Sequence, residues 1–437
     1  MFRWGLLIIV LSLIYVVYNQ YPRLNIVAGY SAKNMNSSIF LAGRTFHFTD
    51  QSDNNFSPVN LASDTYDKRE MTTEASVYGL LTRKAIYRDG LGSVLVPKDS
   101  KENTIYSTPK RVENKTNLPF PYGELPQKDT IFKHIEYNTL ANVVEMAFDS
   151  LNKTRAVLVI HKDQLIAEKY ADGFDQNSII LGWSMTKSIT GTIMGILQSQ
   201  ELLNVNDKAP VDSWKNDERS EITIHNLLQM NSGLEWVEDY NNISDVTKML
   251  FISKNMGAVQ EDKHFVGKPN ETWNYSSGTT NLLSNISRSY FDTHQSYLNF
   301  WYSDLIDKIG MHSMTIEADF EGNYVGSSYG WATPRDWAKL GLLYLHHGSW
   351  NGDQVFDASW VKYATTPTNT SNGRYGAHIW LNAGGYYPDL PKDLYSFNGY
   401  QGQRVFIIPS KDLVIVRMGL STMDFNQFLK NILSAIH

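Results

Sequence analysis

Two β-rich runs near the end of the chain restrict its possible folds more strongly than any other segment does. Residues 404–408 and 413–418 are separated only by residues 409–412, and this spacing predicts an antiparallel hairpin. Residues 425–436 follow, with their apolar side chains at the three- and four-residue intervals of a helix. A hairpin followed directly by an amphipathic helix indicates a fold made of layers of sheet and helix.

Similar patterns occur further upstream. Residues 156–160 and 165–170 predict a second hairpin around a turn at 161–164. Helices are predicted over residues 185–200 and 336–347, where apolar side chains again recur at helical spacing. Because strands lie near both ends and helices lie between them, the sequence predicts an α+β fold. We expect an antiparallel sheet flanked by helices, with an inserted, mainly helical lobe.

The first part of the chain has a different composition. Residues 30–75 are rich in Asn, Ser, Thr and Asp, and residues 99–128 are polar and interrupted by prolines. The sequence therefore predicts a loop-rich N-terminal extension over residues 21–125 and one main folded domain over residues 126–437. Residues 1–20 are predicted to be a separate signal or membrane anchor.

That last prediction rests on an apolar run at residues 4–18, which follows the single cation Arg3. At about 1.5 Å of rise per residue, this run is shorter than the roughly 20 residues that span a bilayer, but it fits the core of an export signal. We therefore expect an exported protein, periplasmic or anchored to a membrane by this segment and facing outside the cytoplasm. Ala28 is only a weak cleavage point, and the alternative is a buried helix of the folded protein.

Composition excludes several classes of function. The chain of 437 residues is 42% hydrophobic and 13% aromatic, which excludes wholesale disorder, and its net charge of −6 gives no reason to expect a nucleic acid partner. It has no Cys, so it has no disulfide, no thiolate zinc site and no cysteine nucleophile. The 11 His form no H-E-x-x-H pattern, and no glycine-rich phosphate loop occurs, so neither a metal nor a cofactor is predicted.

The first candidate for chemistry is the pattern Ser-x-x-Lys, which places a hydroxyl and an amine three residues apart. On a helix these two side chains share a face. A partly desolvated lysine can lose its proton near neutral pH and act as a base toward the serine. If the serine begins the helix, its backbone N–H also points toward the position that an oxyanion would occupy.

The pattern is weak by itself because it occurs four times, beginning at Ser107, Ser150, Ser184 and Ser359. Pro109 disturbs the first occurrence, the second has the polar surroundings of a solvated helix end, and the fourth fits a surface helix. Only Ser184 begins a long apolar helix. The alternative for Ser184 is a simple helix N-cap, a role that serine commonly has.

Two later segments strengthen the case for Ser184. Tyr275 follows a turn that could present its hydroxyl at the edge of a cleft, and a tyrosine near an ammonium group can transfer protons. Residues 397–403 contain Gly399 and Gly402 just before the strand at Arg404, and glycines there let a ligand approach the backbone. The alternatives are an ordinary half-buried tyrosine and a simple bend.

Taken in order, Ser184-Met-Thr-Lys187, Tyr275-Ser-Ser277 and Phe397-Asn-Gly-Tyr-Gln-Gly402 resemble the motifs of the serine β-lactamase and penicillin-binding-protein superfamily. The closer resemblance is to its class C-like branch, which includes 6-aminohexanoate-dimer hydrolase and related esterases. Residues 222–236 and 329–341 also resemble that branch, so the similarity extends over roughly residues 130–437.

The resemblance implies specific roles. Ser184 would be the nucleophile, Lys187 its base partner and Tyr275 the proton shuttle. The backbone N–H groups of Ser184 and Tyr400 would form the oxyanion hole. The side chains or backbone that would contact the substrate belong to Tyr240, Ser277, Gly399 and Gln401.

The sequence also departs from the lactamase pattern. Phe397 and Asn398 stand where lactamases carry a Lys or His followed by Thr, so the cation and hydroxyl that hold a β-lactam carboxylate are missing. Ser277 stands where many lactamases carry Asn. Both differences favour the amidase and esterase branch over efficient β-lactam hydrolysis.

The sequence therefore predicts a serine hydrolase that cleaves a small-molecule amide or ester through an acyl-enzyme. Two other functions remain open: a non-catalytic or single-turnover binding or sensor module on the same scaffold, and a cell-wall D-alanyl peptidase. A G-x-S-x-G elbow of the α/β-hydrolases is not formed, because Thr186 takes the place of its second glycine.

Overall fold

The computed structural model describes residues 2–98, 100, 106–112, 116–128 and 130–437. Within these residues the α-helices, in chain order, are α1 (Phe2–Asn36), α2 (Phe46–Phe48), α3 (Tyr137–Met146), α4 (Thr186–Ser199), α5 (Ile224–Leu228), α6 (Asp245–Ile252), α7 (Ala258–Glu261), α8 (Ser277–Arg288), α9 (His294–Trp301), α10 (Pro334–Leu345), α11 (Ala358–Ala364) and α12 (Phe425–Ser434).

The strands of the described residues are mostly short. In chain order they are β1 (Ala62–Asp67), β2 (Thr72–Val77), β3 (Leu81–Arg88), β4 (Gly92–Leu95), β5 (Thr154–His161), β6 (Gln164–Tyr170), β7 (Ile180–Leu181), β8 (Thr315–Ile316), β9 (Gly330–Ala332), β10 (Ser349–Trp350), β11 (Asp353–Gln354), β12 (Trp380–Leu381), β13 (Tyr395–Gly399), β14 (Gln403–Ile408) and β15 (Leu413–Gly419).

The chain divides into two compact units. The first unit consists of Met1–Ile105, Val237–Met256 and Ala318–Gly322, and the second unit contains the other residues. Each unit is a part of the chain with dense internal contacts. The predicted division of the chain at residues 20 and 125 stays a prediction.

An antiparallel sheet of six strands, in the order β12-β13-β14-β15-β5-β6, is the centre of the second unit. Both predicted hairpins are present in it, as β5–β6 and β14–β15, and antiparallel pairing of β15 with β5 joins them. The left-handed backbone of Asp412 (φ 48°) closes the turn between β14 and β15. The sequence predicted this local pairing correctly because each hairpin is closed by a short turn.

Helices cover both faces of this sheet. On one face α10 packs so closely that a Cβ on Gly341 would lie 2.8 Å from Val405 and 2.9 Å from Val414. On the other face α3 and α12 bury Leu140, Leu429 and their neighbours against Phe406 and Ile415. The second unit also contains α4, α5, α7, α8 and α9, which lie between β7 and β8 in the sequence. The predicted α+β fold is therefore confirmed.

The first unit corrects the expectation that residues 21–125 are rich in loops. Its strands β1 to β4 form an antiparallel meander, and α1 packs against β2 and β3. Val27 and Ala28 of α1 form a small core with Val77 and Leu81 of the sheet. The polar composition hid this sheet, since β1 is mostly exposed and β2 buries small or polar side chains such as Thr73 and Ala75.

The helix α1 differs along its length. Ala28, Ala32 and Met35 are fully buried, whereas Leu11 and Tyr18 are mostly exposed. The side chains of residues 1–10 lie outside the described part of the chain, so the predicted apolar run is only partly covered. No helix among the described residues is long and apolar enough to cross a bilayer. Export and anchoring stay predictions.

The pH dependence of stability in the first unit can be predicted from Asp64. Burial raises the pKa of the Asp64 carboxyl to about 6, although hydrogen bonds from Ser31 Oγ to its two oxygens (2.9 and 2.8 Å) act in the opposite direction. Because the folded-state pKa lies above the unfolded value near 3.8, the folded state binds the proton more tightly. The free energy of unfolding should therefore fall as the pH rises from 4 to 6.

Asp64→Asn removes the buried charge and should raise the free energy of unfolding at pH 7.5 by on the order of 2 kcal/mol, with no gain at pH 4. Urea denaturation at both pH values measures this difference. Asp67→Asn, on the exposed end of the same strand, is the matched control. An equal gain from both substitutions, or a gain that persists at pH 4, would contradict this assignment.

Candidate active site

Ser184 lies in a tight turn directly before α4. The turn, Trp183–Met185, is a single 3-10 turn, and Trp183 has a left-handed backbone with φ 49°. Gly182 precedes it and has no space for a side chain, since a Cβ there would lie 2.2 Å from the Trp337 ring. The close contact and the left-handed residue together direct Ser184 to the amino end of the helix, where backbone N–H groups are unpaired.

Lys187 lies one turn further along and is the most constrained side chain of the site. It is only 2% exposed, and its Nζ lies 3.0 Å from Ser184 Oγ, 2.8 Å from Ser277 Oγ and 3.0 Å from the Ser327 carbonyl oxygen. These three oxygens come from the turn before α4, the start of α8 and the segment before β9. The amine is thus fixed against the serine hydroxyl by two other parts of the chain.

Tyr275 contacts the amine with the face of its ring. Lys187 Nζ lies 4.8 Å from the centre of the Tyr275 ring. Tyr275 is partly exposed and stands just before α8. The structure therefore brings Ser184, Lys187 and Tyr275 together.

Ser277, one of the predicted substrate contacts, lies beside Lys187. It is fully buried at the first residue of α8, and its hydroxyl accepts a hydrogen bond from Lys187 Nζ. Ser276 caps the same helix by accepting from the Thr279 N–H at 2.9 Å. Ser277 is thus a neighbour of the amine, and its predicted contact with the substrate stays a prediction.

The third predicted segment lies beside the Ser184 turn. Gly399 ends β13, and a Cβ on it would lie 2.1 Å from the Gly182 carbonyl oxygen, so only glycine fits this approach of two backbones. The rings of Tyr400 and Trp183 meet edge to face at 5.6 Å. These contacts bring the segment that begins at Tyr400 close to the turn of Ser184, and both residues belong to the predicted oxyanion hole.

A buried arginine supports the turn after Gly399. Gln401 has a left-handed backbone (φ 58°), and Arg417 Nη1 donates to the Gly402 carbonyl at 3.1 Å and to the Ser421 carbonyl at 2.6 Å. Burial lowers the pKa of Arg417 to about 9, with a smaller effect from Arg404. A rigid support of this kind holds the carbonyl and N–H groups of the turn in one orientation.

The position of Phe397 confirms that a cation is missing from the third motif. Phe397 is fully buried and packs against the ring of Tyr344 at 5.3 Å. A cation is present instead on the neighbouring strand: Arg404 pairs with Asn398 across β13 and β14 and donates to the Gly399 carbonyl at 2.9 Å. Sequence reasoning missed Arg404, because cross-strand register determines its position.

Sequence reasoning also missed an aromatic cluster around Tyr275, which consists of Trp273, Tyr275, Tyr375 and Trp380. The centre of the Tyr275 ring lies 5.2 Å from the ring centre of Trp380, 5.7 Å from that of Tyr375 and 6.5 Å from that of Trp273. Trp273, Tyr275 and Trp380 are partly exposed, so the cluster presents apolar surface beside Lys187. The only signal in the sequence was the local density of aromatic residues.

His378 links two of the helices near Lys187 through hydrogen bonds. It is buried, its Nδ1 donates to the Leu228 carbonyl at 2.9 Å, and its Nε2 accepts from Thr280 Oγ1 at 2.9 Å. Burial lowers the pKa of His378 to about 3, and the charge of Lys187 acts in the same direction. A neutral histidine therefore joins α5 to α8 without placing a second charge beside Lys187.

Two further predictions concern Tyr240 and the other Ser-x-x-Lys occurrences. Tyr240 belongs to the first unit, where its hydroxyl donates to Glu238 Oε1 at 3.4 Å, so its role in the acyl pocket stays a prediction. Of the other Ser-x-x-Lys occurrences, the one ending at Lys153 is interrupted by a left-handed backbone (φ 45°), and Ser359 is exposed on α11. For these two occurrences the structure thus agrees with their exclusion as catalytic sites, which rested on the local sequence.

Comparison with protein families gives one match. Residues 150–422 match the model of the family described as Beta-lactamase, and this segment includes Ser184, Lys187, Tyr275 and Tyr400. None of the curated proteins matches the sequence of this chain.

Solved structures share the fold at low sequence identity. A protein from Bacillus anthracis described as a 6-aminohexanoate-dimer hydrolase has a TM-score of 0.57 at 21% identity, over 67% of this chain and 80% of that one. A family VIII carboxylesterase has a TM-score of 0.55 at 13% identity, over 69% and 96%. A penicillin-binding protein homologue from Caulobacter crescentus has a TM-score of 0.54 at 13% identity, over 68% and 97%.

Proposed function

The chain belongs to the β-lactamase family, and from this we propose that it cleaves an ester or amide bond through an acyl-enzyme on Ser184. Its fold and family are those of serine hydrolases in general. The observation that carries the finer proposal is the 3.0 Å separation between Lys187 Nζ and Ser184 Oγ in a buried site. A nucleophile and its base have to lie within hydrogen-bond reach of one another.

In the proposed first step, the neutral amine of Lys187 takes the proton of the Ser184 hydroxyl while Oγ forms a bond to the substrate carbonyl carbon. The negative charge moves to the carbonyl oxygen, which the backbone N–H groups of Ser184 and Tyr400 stabilise. Ser277 Oγ and the Ser327 carbonyl keep Nζ in place during this transfer. Preorganisation of this kind lowers the barrier because no group has to move.

In the second step the tetrahedral intermediate collapses, and the bond to the alcohol or amine breaks. We propose that the Tyr275 hydroxyl gives its proton to this leaving group and takes from Lys187 the proton that came from Ser184, which leaves the amine neutral again; the Tyr275 ring lies against this amine. A water molecule then attacks the acyl carbon with the same groups assisting. The acid is released, and Ser184 regains its proton.

The surroundings of the site support an uncharged, apolar substrate group. The aromatic cluster gives a partly exposed apolar surface next to Lys187. At the third motif Phe397 is buried in the core, so no cation or hydroxyl from this position meets the carboxylate of a β-lactam. We therefore propose the esterase and amidase branch of the family, with a small ester or amide as substrate.

A fluorophosphonate probe tests the nucleophile directly, because it reacts only with an activated serine. Ser184→Ala should abolish labelling, and Lys187→Met should reduce its rate by about two orders of magnitude. Ser359→Ala is the matched control, since Ser359 begins another Ser-x-x-Lys sequence and is exposed. Undiminished labelling of the folded Ser184→Ala variant would discard the assignment.

The substrate class is tested by comparing kcat/KM for short-chain acyl esters with kcat/KM for a chromogenic cephalosporin. We expect the esters to be cleaved at least about tenfold faster, because the buried Phe397 leaves the third motif without its cation. Faster cleavage of the cephalosporin would overturn this view of the motif. A single burst without turnover on every substrate would instead favour a binding or sensor module.

A further inference from the structure

The first unit contains a cavity of about 410 Å³ that the proposed hydrolysis does not use. This volume lies within the usual range for small-molecule sites. One wall comes from α1 through Tyr21 and Asn25. Another comes from β3 and from Leu80, the residue before this strand. Residues 96–98, Ser100 and Ile252 complete the lining.

The charged side chains that line the cavity, among the described residues, are all cations. Arg83, Lys84 and Lys98 line the cavity, and neither Asp nor Glu is among the described residues that do so. Clustered cations without carboxylates favour the binding of an anion.

Arg83 is the innermost of these cations and is only 7% exposed. Its Nη1 donates to the Phe251 carbonyl at 2.7 Å and to Asn25 Oδ1, both of which are uncharged acceptors. Arg83 forms no ion pair with any residue that the structure describes, and burial lowers its pKa to about 10. A buried cation without a counter-charge is costly, and an anion in the cavity would offset that cost.

The uncharged part of the lining combines polar side chains, such as Asn25, Thr82 and Ser100, with apolar ones. Leu80, Leu81, Val96 and Ile252 contribute to the walls, and Leu80 is 65% exposed while Ile252 is 38% exposed. Exposed apolar side chains beside cations fit a ligand that has both an anionic group and a hydrocarbon part. A hydrophilic inorganic ion would leave this apolar surface in contact with water.

The helix α1 extends the apolar surface toward the cavity. Leu11, Ile14, Tyr15 and Tyr18 are exposed by 56%, 58%, 66% and 78%. They are spaced by three, one and three residues, and Tyr21 of the cavity wall follows three residues later, so all five lie on one helical face. Exposed apolar side chains that lead along α1 to a cationic cavity suit a chain-bearing ligand.

From these observations we propose that the cavity binds an anionic amphiphile, with its carboxylate or phosphate group at Arg83 and Lys98 and its acyl chain against Leu80, Val96 and Ile252. The same headgroup chemistry is found in a free fatty acid and in an anionic membrane lipid. The site is independent of Ser184 and of the hydrolytic reaction.

The test uses the full-length protein and isothermal titration with laurate, with inorganic phosphate and with dodecanol. Laurate should bind saturably, and phosphate and dodecanol at least tenfold more weakly, since each provides only half of the proposed contacts. Arg83→Gln should weaken laurate binding at least tenfold. Because this buried substitution can disturb folding, Lys98→Glu at the exposed rim is a second variant, expected to weaken binding at least threefold.

Lys68→Glu is the matched control for charge, because Lys68 is exposed in the same unit and outside the cavity lining.

Sedimentation with phosphatidylglycerol or phosphatidylcholine vesicles separates the two sources of the ligand. Preference for phosphatidylglycerol that Lys98→Glu removes supports a membrane lipid, and saturable laurate binding without vesicle binding supports a free fatty acid. No saturable binding of laurate or vesicles, phosphate binding as tight as laurate binding, or equal effects of Lys98→Glu and Lys68→Glu would overturn the proposal.

Discussion

The arrangement of the site in the second unit depends on the hydrogen bonds of the buried Lys187 amine. Its three oxygen neighbours come from Ser184, Ser277 and Ser327, which are distant in sequence, so one side chain joins α4, the start of α8 and the segment before β9. A buried amine requires such partners, because an unsatisfied polar group in the interior costs on the order of 1–3 kcal/mol or more. The same requirement that stabilises the packing also keeps Nζ beside the serine hydroxyl. Neutral His378 adds to this arrangement, since it links two helices through hydrogen bonds and introduces no competing charge.

The other half of the site depends on steric constraints at glycine. A Cβ on Gly399 would prevent the close approach of its backbone to that of Gly182, and a Cβ on Gly182 would meet the Trp337 ring. Arg417 holds the turn after Gly399 through a hydrogen bond. These contacts place the amino end of α4 next to the end of β13. We propose that backbone N–H groups from both elements face one position, as an oxyanion hole requires. The proposed chemistry thus arises from packing between a helix and a sheet edge, and the long-range hydrogen bonds of Lys187 complete it.

The sequence predicted the parts of this structure that are decided locally. The hairpins at β5–β6 and β14–β15 and the helix α12 follow from short turns and apolar periodicity. Ser184 could be separated from three other Ser-x-x-Lys occurrences because only it precedes a long apolar helix. The sheet of the first unit was missed, since β1 is mostly exposed and β2 buries polar residues against α1. The place of Arg404, the aromatic cluster around Tyr275 and the contact of Ser277 with Lys187 all depend on register or long-range packing, which one sequence does not determine.

The central claim is that Lys187 activates Ser184 for acyl transfer. Rapid acid quenching of the enzyme with a slowly hydrolysed ester, followed by peptide mapping in a mass spectrometer, tests it most directly. We expect the acyl mass increment on the peptide that contains Ser184, and we expect no increment at the same reaction time in a folded Lys187→Ala variant. An increment on a different peptide, or an equal amount of adduct on Ser184 without Lys187, would contradict this account.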